Sequence, residues 1–422
     1  MPDVITHPAR LDMTRYIRPG DTVAWSQACA EPLTLTECLV AQRAQLGSLR
    51  CFLGIPASRT VGPQHADHLS FLSYCGSGSN RALYGAGALD IVPCHYSELP
   101  GLLARGPLRA DVLLLQLAPA DEDGNHSLGL AHDYLAEAVD TARVVIAEVN
   151  DQVPRTRGPR VLSPASLDVV VHTSRPPAEL ALRPADMRTA RIAVQVAELV
   201  EDGATLQFGV GTLPEAVLRQ LHGHRRLGVH SGMLSDAAAD LMEAGVITNE
   251  RKTLDRGRSV AGLLMGTRRL FRYADRNPAI ELRETGYTHH PEVLAAQRRL
   301  TAINSAIEVD LTGQVNAEVA AGEYVGAVGG AVDFLRGAAR SRGGLPIVAL
   351  PSTAGERSRI VTTLSGPVST ARCDAGLVVT EYGVADLRGL PLRARQEALL
   401  AIAHPDHRSA LEQALDTSGV PA

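Results

Sequence analysis

The chain has 422 residues, 45% hydrophobic and 21% charged, with a formal net charge of -5. That length suffices for two or three hydrophobic cores, and the mild acidity gives no reason to expect nucleic acid as a partner. Six widely spaced cysteines (Cys29, Cys38, Cys51, Cys75, Cys94 and Cys373) contain no Cys-x-x-Cys pair and do not fit a disulfide-stapled secreted scaffold, which points to free thiols in a reducing compartment. Residues 1–16 carry no apolar core of signal-peptide type, and no apolar run approaches the length of a membrane helix. The expected class is a cytoplasmic enzyme.

In chain order, residues 20–25 predict a turn and a strand, residues 33–44 an amphipathic helix, and residues 49–53 the next strand. Residues 54–87, rich in glycine, serine and histidine, show no periodicity that assigns an element. Residues 111–117 and 144–149 are near-continuous apolar runs of strand length, separated by Pro119 and the turn-forming Asp121-Glu122-Asp123-Gly124-Asn125. Residues 167–173 predict a further strand. Strands apolar on both faces and alternating with helices imply a parallel sheet covered on both sides. Pro176-Pro177 and Pro184 interrupt the pattern and place a domain boundary, dividing the chain into 1–180 and 185–422. Residues 188–200 then predict a helix with Ile192, Val196, Leu199 and Val200 facing inward.

The stretch from Asp202 to Pro214 echoes the one from Pro19 to Pro32 at an offset of about 183 residues, a hint of two similar halves. Within it, Gln207, Gly209, Val210, Gly211 and Thr212 form a loop between a strand and a helix in which Thr212 and Glu215 have capping-box spacing. The loop is either a tight strand-to-helix turn or a set of backbone donors aimed at a thioester oxyanion or a phosphate. Pro214 stands where a dinucleotide fingerprint needs its third glycine, and the P-loop pattern is absent.

Residues 303–311 alternate as a strand with one buried face, Thr312-Gly313-Gln314 supplies a turn, and residues 315–319 read as the returning arm of a hairpin. Gly326, Gly329 and Gly330 then let the backbone approach a ligand closely before a helix over 331–341, whose charges suit its dipole. Residues 347–350 predict a buried strand.

The run Ile303 to Val315, the Gly-Gly-x-x-Asp-Phe step at Gly329, the segment Ala349-Leu350-Pro351-Ser352-Thr353-Ala354, Ser358-Arg359-Ile360-Val361 and Val378-Val379-Thr380-Glu381-Tyr382-Gly383 resemble the C-terminal half of the acetyl-CoA hydrolase and 4-hydroxybutyrate CoA-transferase family. The N-terminal half is similar more loosely, through Asp111-Val112, Ala147-Glu148-Val149-Asn150 and Pro154-Arg155-Thr156. The resemblance implies two similar open α/β domains of the CoA-transferase type with an interdomain cleft, a homodimer, and coenzyme A or acyl-CoA as substrate beside an unidentified acceptor. It implies that Gln207, Gly209 and Gly211 bind CoA and stabilise the reacting carbonyl. Amide donors at Val210, Thr212, Gly326, Gly329 and Gly330, with Ser352, Thr353 and Arg359, are expected to meet phosphate or pantetheine groups.

One departure decides the expected chemistry. In the segment Leu227 to Asp236 the family has a nucleophilic glutamate after His-Ser, and here Gly232 follows His230-Ser231. A glutamyl-CoA intermediate requires a carboxylate, so that route is not expected. His230 and Asp236 are the nearby candidate bases, although a lone histidine is more often a packing residue. Glu243, Glu308, Glu318 and Glu381 read as structural acids. Gln297-Arg298-Arg299 replaces the family's Asn-Asp-Asn run, and Ala331 replaces a glutamine, which puts the acceptor side in doubt. His222-x-His224, His65-x-x-His68 and His289-His290 lack the rest of a zinc constellation, so no metal is expected. Three readings follow: CoA transfer between carboxylates, which the resemblance implies as a broad label but which should be absent or very slow without the glutamate; acyl-CoA processing without the glutamyl intermediate, by hydrolysis or by direct transfer to a non-carboxylate acceptor; or a non-catalytic acyl-CoA binder or partner subunit. The flanking motifs predict that Gly232→Glu gains CoA transfer.

Overall fold

A computed structural model describes residues 1–181 and 184–418. The chain forms two compact units, one comprising Met1–Ala181, Met233–Asp236 and Val260–Thr288, the other the remaining described residues.

The first unit carries an eight-stranded sheet from β1 (Asp3–Ile5), β2 (Thr22–Trp25), β3 (Leu49–Leu53), β4 (Leu69–Ser73), β5 (Leu89–Ile91), β6 (Val112–Leu117), β7 (Val144–Asn150) and β8 (Val169–Thr173). Their order is β1-β8-β7-β6-β2-β3-β4-β5, and every pair is parallel. The apolar runs behave as their two-faced composition requires, since all six residues of β6 and all seven of β7 are buried. Helix α1 (Leu33–Leu46) lays Leu35 and Leu39 on Val23, Val112, Ile146 and Val169. The segment without a sequence signature supplies β4 and a short helix at Asn80–Gly85, and β5 follows it. There the Asn80 amide donates to the Gly54 and Cys75 carbonyls and the Ser73 hydroxyl, a web with no sequence periodicity.

The second unit has a six-stranded sheet from β9 (Thr205–Phe208), β10 (Gly228–Val229), β11 (Leu300–Ser305), β12 (Leu345–Ala349), β13 (Leu377–Thr380) and β14 (Gly383–Asp386). The order is β10-β9-β11-β12-β13-β14, parallel except for the β13–β14 hairpin. Alternate residues of each central strand serve opposite faces. Ile303, Ile347 and Val379 pack under α2 (Met187–Leu199) and α3 (Thr212–Gln220), while Ala302, Val348 and Val378 pack against α4 (Ala331–Arg340) through Phe334 and Leu335.

The two sheets share a topology: β3-β2-β6-β7-β8 in one runs as β10-β9-β11-β12-β13 in the other. The echo seen in sequence falls on matching strands, and the turn glycines Gly20 (φ 89°) and Gly203 (φ 75°) both hold the left-handed conformation that glycine adopts without strain. Two local expectations are corrected. Residues 303–311 are not one half-buried strand: β11 ends at Ser305 as a strand buried between layers, and a separate strand at Glu308–Asp310 pairs with Val315–Asn316. The capping box at Thr212 does not form, because Glu215 accepts the Ala237 amide at 3.0 Å and meets Arg219 at 3.4 Å.

Candidate active site

Topology selects the edge of the second sheet where a ligand would sit. The chain leaves β9 through α3 to β10 on one side and leaves β11 through α4 to β12 on the other. Where successive connections of an open parallel sheet diverge, the carboxyl ends of the two strands leave a crevice that small molecules occupy. Gln207 and Gly209 flank the end of β9, and Asn304 lies near the end of β11.

Gln207 and Asn304, both buried, exchange amide hydrogen bonds: Gln207 Nε2 donates to Asn304 Oδ1 at 3.3 Å, and Asn304 Nδ2 donates to Gln207 Oε1 at 2.9 Å. The Gly209 amide donates to the Ile303 carbonyl at 2.9 Å, so it is engaged in the sheet. A Cβ at Gly209 would come within 3.2 Å of Asn304 Oδ1, which keeps this position small. The crest of the loop is Val210, 47% exposed, followed by Gly211 at φ 132° and Thr212 as the first residue of α3. The crest thus precedes a helix, a setting in which backbone donors are open to an anion.

Alongside, His230, Ser231 and Gly232 continue past the end of β10. The His230 amide donates to the Leu206 carbonyl at 3.0 Å, and the Ser231 hydroxyl lies 3.4 Å from the Phe208 amide and 3.3 Å from its carbonyl, extending the pairing with β9. The His230 ring is fully buried, with Nδ1 at 3.3 Å from Gln297 Nε2. Asp236 accepts the Thr267 amide and hydroxyl, each at 2.9 Å. These contacts give both residues a structural employment.

Gly232 is half-buried, and a Cβ there would sit 3.4 Å from His289 Cε1, 3.5 Å from His289 Nε2 and 3.7 Å from Phe334 Cε2. His289 occupies the tight connection between short helices at Thr285–Thr288 and Pro291–Ala296. Its ring centroid lies 4.6 Å from that of Phe334. Burial, followed by the charge of His230, pulls its pKa down to about 3.

Farther along the same edge, Glu381 follows β13 and accepts the Ser352 amide and hydroxyl, each at 2.8 Å. Arg188 donates to the Thr353 carbonyl at 3.0 Å and to its hydroxyl at 2.8 Å. Burial, then the like charge of Arg188, draws the Arg359 pKa below its usual value, against the opposing pull of Glu308 and Glu381. Helix α4 begins at this edge because it follows a parallel strand. Gly330 is its N-cap and Gly329 holds φ 55° before it. Gly326 approaches so closely that a Cβ would lie 1.9 Å from the Ala317 carbonyl. The remaining acids are engaged: Glu308 accepts the Ser365 amide and hydroxyl, and Glu318 accepts from Tyr324 and Ser369.

Gly232, Gln207, Gly211 and Ser352 thus lie at or just beyond the carboxyl ends of the second sheet's strands, with the Arg359 amide bonded to the Ser352 carbonyl at 2.8 Å, while Asp236 belongs to the first unit. Sequence reasoning did not single out Asn304, whose pairing with Gln207 has no spacing signature. It weighed His289 only as half of a histidine pair. Among the described residues, no cluster of three or more His, Cys, Asp or Glu side chains could hold a metal, and no helix is long and apolar enough to cross a membrane.

A doubly wound α/β sheet with a glycine loop at its switch point and polar side chains along the carboxyl edge defines an enzyme scaffold that holds a small molecule at its strand ends. Comparison with known proteins names the family. Residues 10–180 match the model of the acetyl-CoA hydrolase/transferase N-terminal domain, and residues 266–415 match that of the C-terminal domain. The chain is 39% identical over 399 residues to a 4-hydroxybutyrate coenzyme A transferase from Clostridium kluyveri, covering 92% of each. It is similar in structure to RipA from Yersinia pestis, with a TM-score of 0.93 at 33% identity over 99% of this chain and 98% of that one. A 4-hydroxybutyrate CoA-transferase from Porphyromonas gingivalis gives a TM-score of 0.82 at 35% identity over 99% and 98% of the two chains. The chain belongs to the acetyl-CoA hydrolase/transferase family, and it is an enzyme of the acyl-CoA transferase and hydrolase class.

Proposed function

We propose that this enzyme opens an acyl-CoA thioester without a glutamyl-CoA intermediate and delivers the acyl group to water. The observation that carries this reading is Gly232 at the carboxyl edge, beside the Gln207–Gly211 loop. It has no functional group to attack a thioester, and the carboxylates Glu215 and Glu381 of the same unit are engaged, at Ala237 and Ser352. Amides at Val210 and Gly211 would stabilise the oxyanion that forms as the carbonyl is attacked. Ser352, Thr353 and Arg359 would hold the CoA moiety. Retaining such a site after loss of a covalent route can leave catalysis on the order of 10³-fold over water.

CoA transfer between carboxylates is the activity named for the 4-hydroxybutyrate and succinyl-CoA:cyclohexane-1-carboxylate relatives. It is proposed to be very slow here. A cytoplasmic location and a homodimer belong to the same reading, and sedimentation at micromolar concentration tests the second. The deciding experiment follows acyl-CoAs in H₂¹⁸O, with and without carboxylate, amine and alcohol acceptors. One ¹⁸O atom in the released acid supports hydrolysis, an ester or amide product replaces it with direct acyl transfer, and CoA binding without turnover leaves a binder.

A further inference from the structure

The strand that leads into Gly232 is held on its outer side by side chains. β10 ends the strand order of the second sheet, with β9 as its inner neighbour. Its inward groups pair as a parallel strand requires: the Gly228 amide donates to the Ala204 carbonyl at 2.8 Å, and the His230 amide to the Leu206 carbonyl at 3.0 Å. On the outer side, backbone pairing reaches only Leu227, whose carbonyl accepts the Thr248 and Asn249 amides at 3.0 and 2.9 Å. Val229 is the next residue to turn its backbone outward. It is fully buried, so its amide and carbonyl need protein partners. Asn249 Oδ1 accepts the Val229 amide at 2.9 Å, and Lys252 Nζ donates to the Val229 carbonyl at 2.8 Å. Two side chains thus stand where a neighbouring strand would stand.

Both are built into the second unit rather than laid on its surface, since Asn249 is 1% exposed and Lys252 2%. Lys252 Nζ also donates to the Arg258 carbonyl at 2.8 Å, and Asn249 Nδ2 donates to the Ser259 hydroxyl at 3.0 Å, so the loop from 249 to 259 and the strand are tied together. Gly228 is fitted to this lysine: a Cβ there would lie 2.5 Å from Lys252 Cγ and 3.0 Å from Cδ. Lys252 is the one lysine in the chain, and a residue without its ammonium would leave two buried carbonyls short of a donor.

We propose that Lys252 and Asn249 are positioning residues of the active site: by closing the outer edge of β10 they fix the path of His230-Ser231-Gly232, and so the placement of Gly232 at the carboxyl edge. The consequence for turnover rests on the hydrolytic reading above; the consequence for the strand does not.

The test compares Lys252→Met and Gly228→Ala with wild type in the full-length protein. Lys252→Met removes the donor, whereas Gly228→Ala leaves the donor present and displaces its stem. In both, hydrogen–deuterium exchange across residues 229–234 should quicken at least tenfold, while exchange across β11 and β12 keeps its wild-type rate. A misplacement of about 1 Å can cost on the order of 100-fold in rate, so kcat for acyl-CoA hydrolysis, normalised to folded protein, should fall by roughly 10- to 100-fold. The Kd for CoA should stay within about twofold, because Ser352, Thr353 and Arg359 lie on another loop. Both substitutions act through one contact, so adding Gly228→Ala to Lys252→Met should lower kcat by less than about twofold further. Asn80→Ala, which removes a buried donor set in the first unit, is the control: Tm should fall and kcat should not. Wild-type exchange across 229–234 in both variants, or a kcat above half of wild type despite faster exchange, overturns the proposal and leaves the hydrolytic reading standing. Absence of hydrolysis by the wild-type protein overturns the hydrolytic reading alone, and the exchange rates then decide the proposal.

Discussion

Glu381 is the residue whose removal should most clearly separate support of the site from chemistry. Its side chain is 6% exposed and accepts both the amide and the hydroxyl of Ser352 at 2.8 Å, tying the loop after β12 to the end of β13. In Glu381→Ala, both Ser352 donors lose their acceptor in a buried setting. At about 1–3 kcal/mol for each unsatisfied group, the expected loss is about 3–5 kcal/mol. Glu381→Gln keeps one carbonyl oxygen but turns an NH₂ toward the other donor, so about 1–2 kcal/mol is expected. For a unit of this size these losses correspond to Tm decreases of roughly 6–20 °C and 2–8 °C, measured by scanning calorimetry. Ser352, Thr353 and Arg359 should lose their fixed positions together, and CoA affinity measured by titration calorimetry should fall in the same order, wild type above Gln above Ala. A Tm for Glu381→Ala within about 2 °C of wild type would show that the carboxylate does not carry the loop.

Asp236→Asn should weaken the paired bonds to Thr267 and reduce stability by about 1–3 kcal/mol. Its kcat, normalised to folded protein, should be unchanged; a large kcat loss in folded Asp236→Asn would return the residue to the chemistry. Asp133 is fully enclosed, bonded to Gln27 Nε2 at 2.9 Å and to the Leu135 amide at 3.1 Å, and burial pushes its pKa up to about 6 from an ordinary 3.8. Because the folded value lies above the unfolded one, the native state holds the proton longer. Stability from this group is full below about pH 4 and falls as pH rises to about 6, by on the order of 2–3 kcal/mol. Burial raises Glu31 and Glu148 in the same direction. Urea midpoints between pH 4 and 8 should therefore decline less steeply in Asp133→Asn than in wild type, and parallel slopes would contradict the assignment.

The framework was legible wherever composition alone dictated structure. The apolar runs of β6 and β7 read as two-faced buried strands, and the echo around Gly20 and Gly203 was a hint of the repeat that the two sheet orders show. The site was legible in part. The glycine loop at 209–211 was placed between a strand and a helix, where the structure has it, the glycine at 326 marked a close backbone approach, and Glu381, read as a structural acid, is engaged at Ser352. Contacts between residues distant in sequence were not legible. Nothing in the spacing pairs Gln207 with Asn304, or Glu215 with Ala237 in place of a local capping box. Position 289 illustrates the limit best: as half of His289-His290 it suggested only a metal motif lacking its partners, and its relation to Gly232 exists only once α4 brings Phe334 beneath the ring.

The central claim is that the thioester is opened without a covalent bond from CoA to the protein. Intact-protein mass spectrometry of the wild-type enzyme, quenched during turnover of acetyl-, butyryl- and succinyl-CoA with acetate present, tests it most directly. The account predicts an unmodified protein mass alongside free acid and CoA thiol. A protein species heavier by bound CoA, mapped to a glutamate and accompanied by CoA transfer to acetate, would contradict it.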